Sequence, residues 1–277
     1  MSERDGYQPG VPCWIACVHP DPEKAVTFYT ELFGWEAKNL MLPGADGAYF
    51  LCKLRGCDVA AVVSQHGALS PPAPGWTTYI WVESADNTVA KVAEAGGSVV
   101  AAPFDSPGGG RTAVLSDASG AVFCVWQPGE RKGAQVVNEP GAWSMSALNT
   151  RDPQGAEAFY GAVFGWDTDT FDLGKSQVTL WRLPGYVGGE PEQPVPRDQV
   201  ATMAPMTGDR ISDDVSAHWS VDFWVHDVDA TADNAAQLGG KVIAPPYDIP
   251  VAGLRQAVLA DPQGAMFSVS KVTVGEP

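Results

Sequence analysis

No stretch of this 277-residue chain approaches the roughly 20 consecutive apolar residues that a membrane-spanning helix requires. The first residues, M-S-E-R-D-G, lack both the basic start and the apolar middle of a signal peptide, so a soluble cytoplasmic protein is expected. Basic residues are scarce, 17 Lys and Arg against 33 Asp and Glu for a net charge of −16, and they form no cluster. Without Lys and Arg to displace counterions, nucleic acid is a poor partner, and so is an anionic membrane. Cysteine is absent from the second half: Cys13, Cys17, Cys52, Cys57 and Cys124 all lie in the first. An odd count without C-x-x-C spacing points to reduced thiols in a reducing compartment.

The chain is rich in self-similarity. G-V-P-C-W-I-A-C-V-H-P-D-P-E-K-A-V-T-F-Y-T-E-L-F-G-W from Gly10 to Trp35 recurs as G-A-W-S-M-S-A-L-N-T-R-D-P-Q-G-A-E-A-F-Y-G-A-V-F-G-W from Gly141 to Trp166. Y-I-W-V, A-G-G-S-V-V-A-A-P-F-D-S-P and R-T-A-V-L-S-D-A-S-G-A-V-F answer to D-F-W-V, L-G-G-K-V-I-A-P-P-Y-D-I-P and R-Q-A-V-L-A-D-P-Q-G-A-M-F. Two tandem domains of about 130 residues each are implied, expected at 8–129 and 140–272, joined through the charged, Gly-containing segment from Gly129 to Pro140.

Each copy carries the same local signals. Cys13 to Val18 is a short apolar run between Pro12 and H-P-D-P, a strand entering a loop. Asp21 suits an N-cap with Pro22 at the first helical position, and Ala25, Val26, Phe28, Tyr29, Leu32 and Phe33 recur at helical spacing up to Gly34. Asp152, Pro153 and the run from Ala156 to Phe164, closed by Gly165, repeat the pattern. Strand-like runs follow at 49–53 and 59–63, and at 178–183 in the second copy. A strand at 77–82, a helix at 86–95, a strand at 98–101 and a hairpin of 112–116 with 121–126 complete the first copy. Their counterparts are 220–225, 229–238, 241–244, 256–260 and 265–270. Strand, helix and three strands, twice per copy, make an α+β pattern of βαβββ modules.

D-P-(x)5-F-Y-(x)3-F-G-W, then A-G-G-x-V, then R-x-A-V-L-x-D-P-x-G-A-x-F together resemble the vicinal oxygen chelate superfamily, which includes glyoxalase I, extradiol dioxygenases and bleomycin resistance proteins. The tandem arrangement is similar to actinobacterial double-domain proteins often labelled hydroxylase or antigen, with relatives in anthracycline gene clusters. The resemblance implies that each domain pairs two βαβββ modules into a curved eight-stranded cup that binds ligands, with cups formed within a domain, between domains or between chains. It also implies a monomer or homodimer. Family members that use a metal hold it at positions that fall here on Trp14, Thr77 and Cys124 in one copy and Met145, Ser220 and Ser268 in the other, with a fourth near Cys52 and Leu180. These side chains lack the His and carboxylate chemistry a hard divalent metal needs, so neither a metal nor another cofactor is expected.

Strand alternation lists what faces each cup. In the first copy it is Trp14, Ala16, Val18, Thr77, Tyr79, Trp81, Val122, Cys124 and Trp126. In the second it is Met145, Ala147, Asn149, Ser220, Asp222, Trp224, Met266, Ser268 and Ser270, a far more polar set. Trp14, Trp81 and Trp126 either stack on a flat ligand or plug their cup as core. Asp222 either acts as a general base or ligand acceptor, or is paired with Arg182 or Arg255. Cys124 is a nucleophile or a buried thiol, and Arg111 and Arg255, repeated before the hairpins, read as structural pairs. His218 precedes Ser220 on the same strand, while His19 and His66 read as loop residues. The stretches from Ser64 to Trp76 and from Glu190 to Ser216 read as long loops, lids or plain surface excursions.

The composite expectation is a metal-independent protein that holds a hydrophobic or aromatic small molecule, in resistance, sequestration or an accessory role in secondary metabolism. An enzyme of the same fold, with Asp222 as base or with a metal site elsewhere, is the competing class. A dimerisation module with filled cups is the third.

Overall fold

The computed structural model describes residues 3–64, 74–107, 109–172, 177–188, 197–206, 215–249 and 253–273. The first copy runs β1 (Pro12–His19), α1 (Pro22–Phe33), β2 (Glu36–Asn39), β3 (Tyr49–Leu54), β4 (Cys57–Ser64), β5 (Gly75–Trp81), α2 (Ala85–Glu94), β6 (Ser98–Asp105), β7 (Arg111–Ser116) and β8 (Val122–Gln127). The second repeats it as β9 (Trp143–Thr150), α3 (Pro153–Phe164), β10 (Asp167–Asp172), β11 (Gln177–Arg182), β12 (Gln199–Pro205), β13 (His218–Trp224), α4 (Val228–Gln237), β14 (Lys241–Ile249), β15 (Leu254–Ala260) and β16 (Met266–Val272). Each copy forms its own open sheet, ordered β2-β3-β4-β1-β5-β8-β7-β6 and β10-β11-β12-β9-β13-β16-β15-β14. Both cups are therefore built within a domain, each from two βαβββ modules joined where β1 meets β5, or β9 meets β13, antiparallel.

The helix signals act as their chemistry dictates. Asp21 accepts a hydrogen bond from the Lys24 amide and Asp152 from the Gly155 amide, and Gly34 and Gly165 end their helices at φ +70° and +72°, which a Cβ disfavours. One reading is corrected: Gln199–Pro205, placed above in a long loop, is β12, and its parallel partner is β9. Its V-A-T-M-A core has Val200, Ala201 and Met203 buried, so the hydrophobic alternation that marks a half-exposed strand is missing. The remainder of that segment at 189–196 and 207–214, and the loop at 65–73 with His66, lie outside the described residues, and with them the lid expectation.

The two copies pack through their convex faces, and the repeated motifs are what joins them. Tyr29 of α1 donates its hydroxyl to Asp261 Oδ2 (2.9 Å) in the β15–β16 turn, and Tyr160 of α3 donates to Asp117 Oδ2 (3.1 Å) in the β7–β8 turn. Trp76 Nε1 donates to the first tyrosine and Trp219 Nε1 to the second (3.0 and 2.9 Å). Trp35 Nε1 and Trp166 Nε1 cap the carbonyls of Gly141 and Gly10 across the boundary (2.7 and 2.8 Å). Around one tyrosine, Phe28, Phe33 and Trp76 pack on Phe223 and Phe267; around the other, Phe159 and Phe164 pack on Phe123. Each aspartate also holds its own turn, through the amides of Ser119 and Ala121 or Gln263 and Ala265. The aromatic residues of F-Y and F-G-W thus take part in cores that span both copies.

Candidate functional site

The concave walls of the two sheets differ in what covers them. Along β1 the burial is nearly continuous, and on the cup side Trp14, Cys124 and Trp126 retain 4%, 3% and 6% of their accessible surface. Trp14 and Trp126 lie 6.3 Å apart between ring centres, and Trp126 Nε1 is locked to the Gly109 carbonyl at 2.8 Å. Cys124 sits among Ala101, Val114, Phe104 and Tyr79, where burial pushes its thiol up to about 12, which leaves no thiolate for nucleophilic attack. Thr77 is buried too. Trp81, level with Trp126 on the neighbouring strand, is only partly buried: it also lies against Tyr7 of the N-terminal segment, at 6.2 Å, beside a surface cleft that includes Lys132 and Tyr186. In the first cup Trp14 and Trp126 are core.

β13, and β9 from Met145 onward, instead alternate, with Met145, Ala147, Asn149, Ser220, Asp222 and Trp224 half-buried on the cup side and Ser146, Leu148, Val221 and Phe223 buried behind. Ser270 stands where the first copy has Trp126, Met145 where it has Trp14 and Asp222 where it has Tyr79. Two indoles are thereby removed above a carboxyl group.

Asp222 is held by donors from three strands. Its Oδ2 accepts from Ser144 Oγ of β9 (2.7 Å) and from Ser270 Oγ of β16, and its Oδ1 accepts from Gln256 Nε2 of β15 (3.1 Å). Tyr247 of β14 donates to Gln256 Oε1 (2.6 Å), which fixes the amide with its NH2 toward the carboxyl. Burial raises the proton affinity of this carboxyl above the usual range, and the three hydrogen bonds only partly oppose that. The arginines offered as partners are engaged elsewhere, a correction to the ion-pair reading. Arg182 pairs with Asp198 and Asp169, and Arg255 with Asp229 of α4 (2.6 Å) and Asp248 (2.9 Å). Arg111 likewise pairs with Asp86 of α2 (2.8 Å), so both repeated arginines pin a helix to its hairpin.

At the other end of the cup, Asn149 Nδ2 donates to Ser220 Oγ (3.0 Å), and His218 is turned to the Ser216 carbonyl (2.9 Å) rather than to Asp222. Ser268 lies in register with Asp222 on the neighbouring strand. Gln199, at the start of β12, reaches Met145 Sδ at 3.9 Å, and its buried Oε1 has no hydrogen-bond partner among the described residues. Sequence reasoning passed over Gln199, which it placed in a loop, and Ser144. A bulge between Asp222 and Phe223 brings Ser144 onto the carboxyl, which strict alternation assigns to the opposite face.

The residues at the family's metal positions do not form a ligand set. Trp14, Thr77 and Cys124, or Met145, Ser220 and Ser268, offer no imidazole or carboxylate. The strand flanking β1 is β4, with Ala61 level with Ala16, and its counterpart β12 sets Thr202 level with Ala147. His19 also departs from expectation: it ends β1, fully buried, rather than lying in a loop.

Comparison with known proteins agrees with this architecture. Residues 14–125 match the model of the Glyoxalase/Bleomycin resistance protein/Dioxygenase superfamily, and residues 131–270 match the Glyoxalase-like domain. The chain is 39% identical over 274 residues to "Putative glyoxylase CFP32" of Mycobacterium tuberculosis, covering 98% of both chains. It is 36% identical to the anthracycline biosynthesis protein DnrV of Streptomyces peucetius, covering 98% of this chain and 96% of the relative. Its fold superposes on the Mn(II)-bound glyoxalase from Novosphingobium aromaticivorans with a TM-score of 0.63 at 17% identity, over 95% of this chain and 82% of that one. With both halves matched and full-length relatives well above 30% identity, the chain belongs to the glyoxalase/bleomycin resistance/dioxygenase superfamily.

Proposed function

We propose that the second cup binds a hydrophobic small molecule carrying an aromatic ring and a hydroxyl group, and that it does so without a metal. The observation that carries this reading is Asp222: a carboxyl on a concave wall, held by Ser144, Ser270 and Gln256, in the place where the first copy has aromatic core. An ionised carboxylate offers about four acceptor positions, and donors among the described residues use three. Gln199 Oε1 is a second acceptor, without a donor among the described residues, on a side chain that reaches Met145. A ligand hydroxyl supplies what both lack, while Met145, Ala147 and Trp224 offer apolar contact. The anthracycline biosynthesis relatives support a polycyclic aromatic ligand of this kind.

A second reading is favoured by the raised proton affinity of Asp222: a cofactor-independent enzyme in which this carboxyl takes a proton from the bound hydroxyl. Titration of intrinsic Trp fluorescence with a panel of hydroxyanthraquinones tests binding. Saturable quenching is expected from the wild type, and Ser270→Trp, which restores the first copy's indole, is expected to weaken it at least about tenfold, or ~1.4 kcal/mol. No saturable response, or an unaffected Ser270→Trp, overturns the reading. Asp222→Asn separates the two classes, since an enzyme loses turnover of a bound compound while a binder shows none to lose.

A further inference from the structure

The inter-copy core contains a cluster that its twofold counterpart lacks. At both junctions a tyrosine donates to a turn aspartate whose other oxygen accepts two backbone amides. At the Asp117 junction the residues at the end of the facing strand are Leu148 and Thr150, both buried. At the Asp261 junction they are Cys17 and His19, so the frame itself needs neither a thiol nor an imidazole. His19 Nε2 lies 3.0 Å from Cys17 Sγ and 3.0 Å from Asp261 Oδ2, and the side chains of His19 and Asp261 have no exposure.

One nitrogen cannot satisfy both contacts by hydrogen bonding. If Nε2 carries its proton toward Asp261, the Tyr29 hydroxyl, at a distant 3.9 Å, is the other group near the thiol among the described residues. If Nε2 accepts from the thiol, it carries no proton to donate to the carboxylate. Nδ1, meanwhile, is buried without a hydrogen-bond partner among the described residues, so Nε2 carries the ring's polar contacts.

We propose that Cys17, His19 and Asp261 are the protein ligands of a structural transition-metal site, of the kind zinc occupies, which ties the two copies together. All three ligand atoms lie within 4.8 Å of one another. Tetrahedral donor pairs on zinc stand roughly 3.2–3.6 Å apart at ordinary bond lengths, so the two 3.0 Å contacts of His19 Nε2 need only a few tenths of an ångström of opening. A thiolate, a carboxylate and a neutral imidazole cancel a divalent charge, which makes the complex neutral in an apolar interior. Tyr29, held by Trp76, donates to Asp261 as outer hydrogen bonds do for ligating carboxylates. Cys17 and His19 come from the first copy and Asp261 from the second, so the ion is a cross-link between domains rather than a catalyst in a cup.

The test is full-length, tag-free protein refolded with one equivalent of zinc or cobalt(II), desalted and assayed for metal. About one equivalent per chain is expected to remain, with a thiolate-to-cobalt charge-transfer band and a zinc-dependent rise in the thermal midpoint. The control is Cys17→Leu with His19→Thr, the residues of the other junction, which that junction shows to fit the frame. It is expected to fold, by circular dichroism, and to retain less than about a tenth of an equivalent. Wild-type protein below about a tenth of an equivalent, or equal retention by the double variant, overturns the proposal.

Discussion

Replacing Tyr160 by Phe removes one oxygen atom and should loosen the whole molecule. Its hydroxyl donates to Asp117 Oδ2 at 3.1 Å and accepts from Trp219 Nε1 at 2.9 Å, with all three residues buried. The ring keeps its contacts with Phe123 at 5.8 Å and Trp166 at 5.4 Å, so the loss is that of the hydroxyl. Leaving the indole N–H unpaired costs about 1–3 kcal/mol, and the hydrogen bond to the carboxylate is worth about 1.5–3 kcal/mol. Burial already raises the proton affinity of Asp117, so the carboxyl can pick up a proton when its donor is gone, which limits the total to about 3–4 kcal/mol. At about 2–4 °C per kcal/mol for chains of this size, the thermal midpoint should fall on the order of 10 °C. Because the bond spans the two copies, wild type and variant should each unfold in one transition by calorimetry and by urea. A loss below about 1 kcal/mol, or separate melting of the two domains in the wild type, refutes the view that these motifs bind one copy to the other.

Asp222 predicts a pH dependence with a definite sign. Its folded pKa lies above the ordinary carboxyl value of about 3.9, so its contribution is fully present below that value and is lost as pH rises through the folded pKa. Relative to Asp222→Asn, the wild type should therefore be more stable at pH 4 than at pH 8 in thermal melts, and a pH-independent difference contradicts the assignment. Among the thiols, Cys13, Cys17, Cys52 and Cys124 are buried, with burial pushing Cys52 and Cys124 up to about 12, while Cys57 is partly exposed. A thiol-reactive dye should modify Cys57 alone in native protein and all five cysteines in denaturant, with two or more fast native thiols as the opposing result.

Much of the frame was legible along the chain because its signals are local. Asp21 with Pro22, Asp152 with Pro153, and Gly34 and Gly165 state where helices begin and end through capping chemistry that acts within four residues. The divergence of the cups was legible too, since Trp14 against Met145 and Tyr79 against Asp222 can be compared without coordinates. β12 was not, because its V-A-T-M-A core sets apolar residues on both faces and so lacks a clear apolar–polar alternation to read. Ser144 escaped because a single bulge overrides the two-residue period, and His19 because nothing near it in sequence announces Asp261.

By itself the sequence determined that the protein is one α+β domain written twice, with a repeated scaffold and unlike concave walls, since periodicity, capping and repetition are properties of neighbouring residues. Tertiary structure alone decided that Tyr29 answers Asp261 and Tyr160 answers Asp117. It also decided that Trp14 and Trp126 are core while Asp222 is held by three side-chain donors, and that a cysteine, a histidine and an aspartate from two copies meet at one point. Those outcomes depend on burial and on contacts between residues as far as 242 positions apart, such as the pairing of Asp21 with Gln263, which no local pattern encodes.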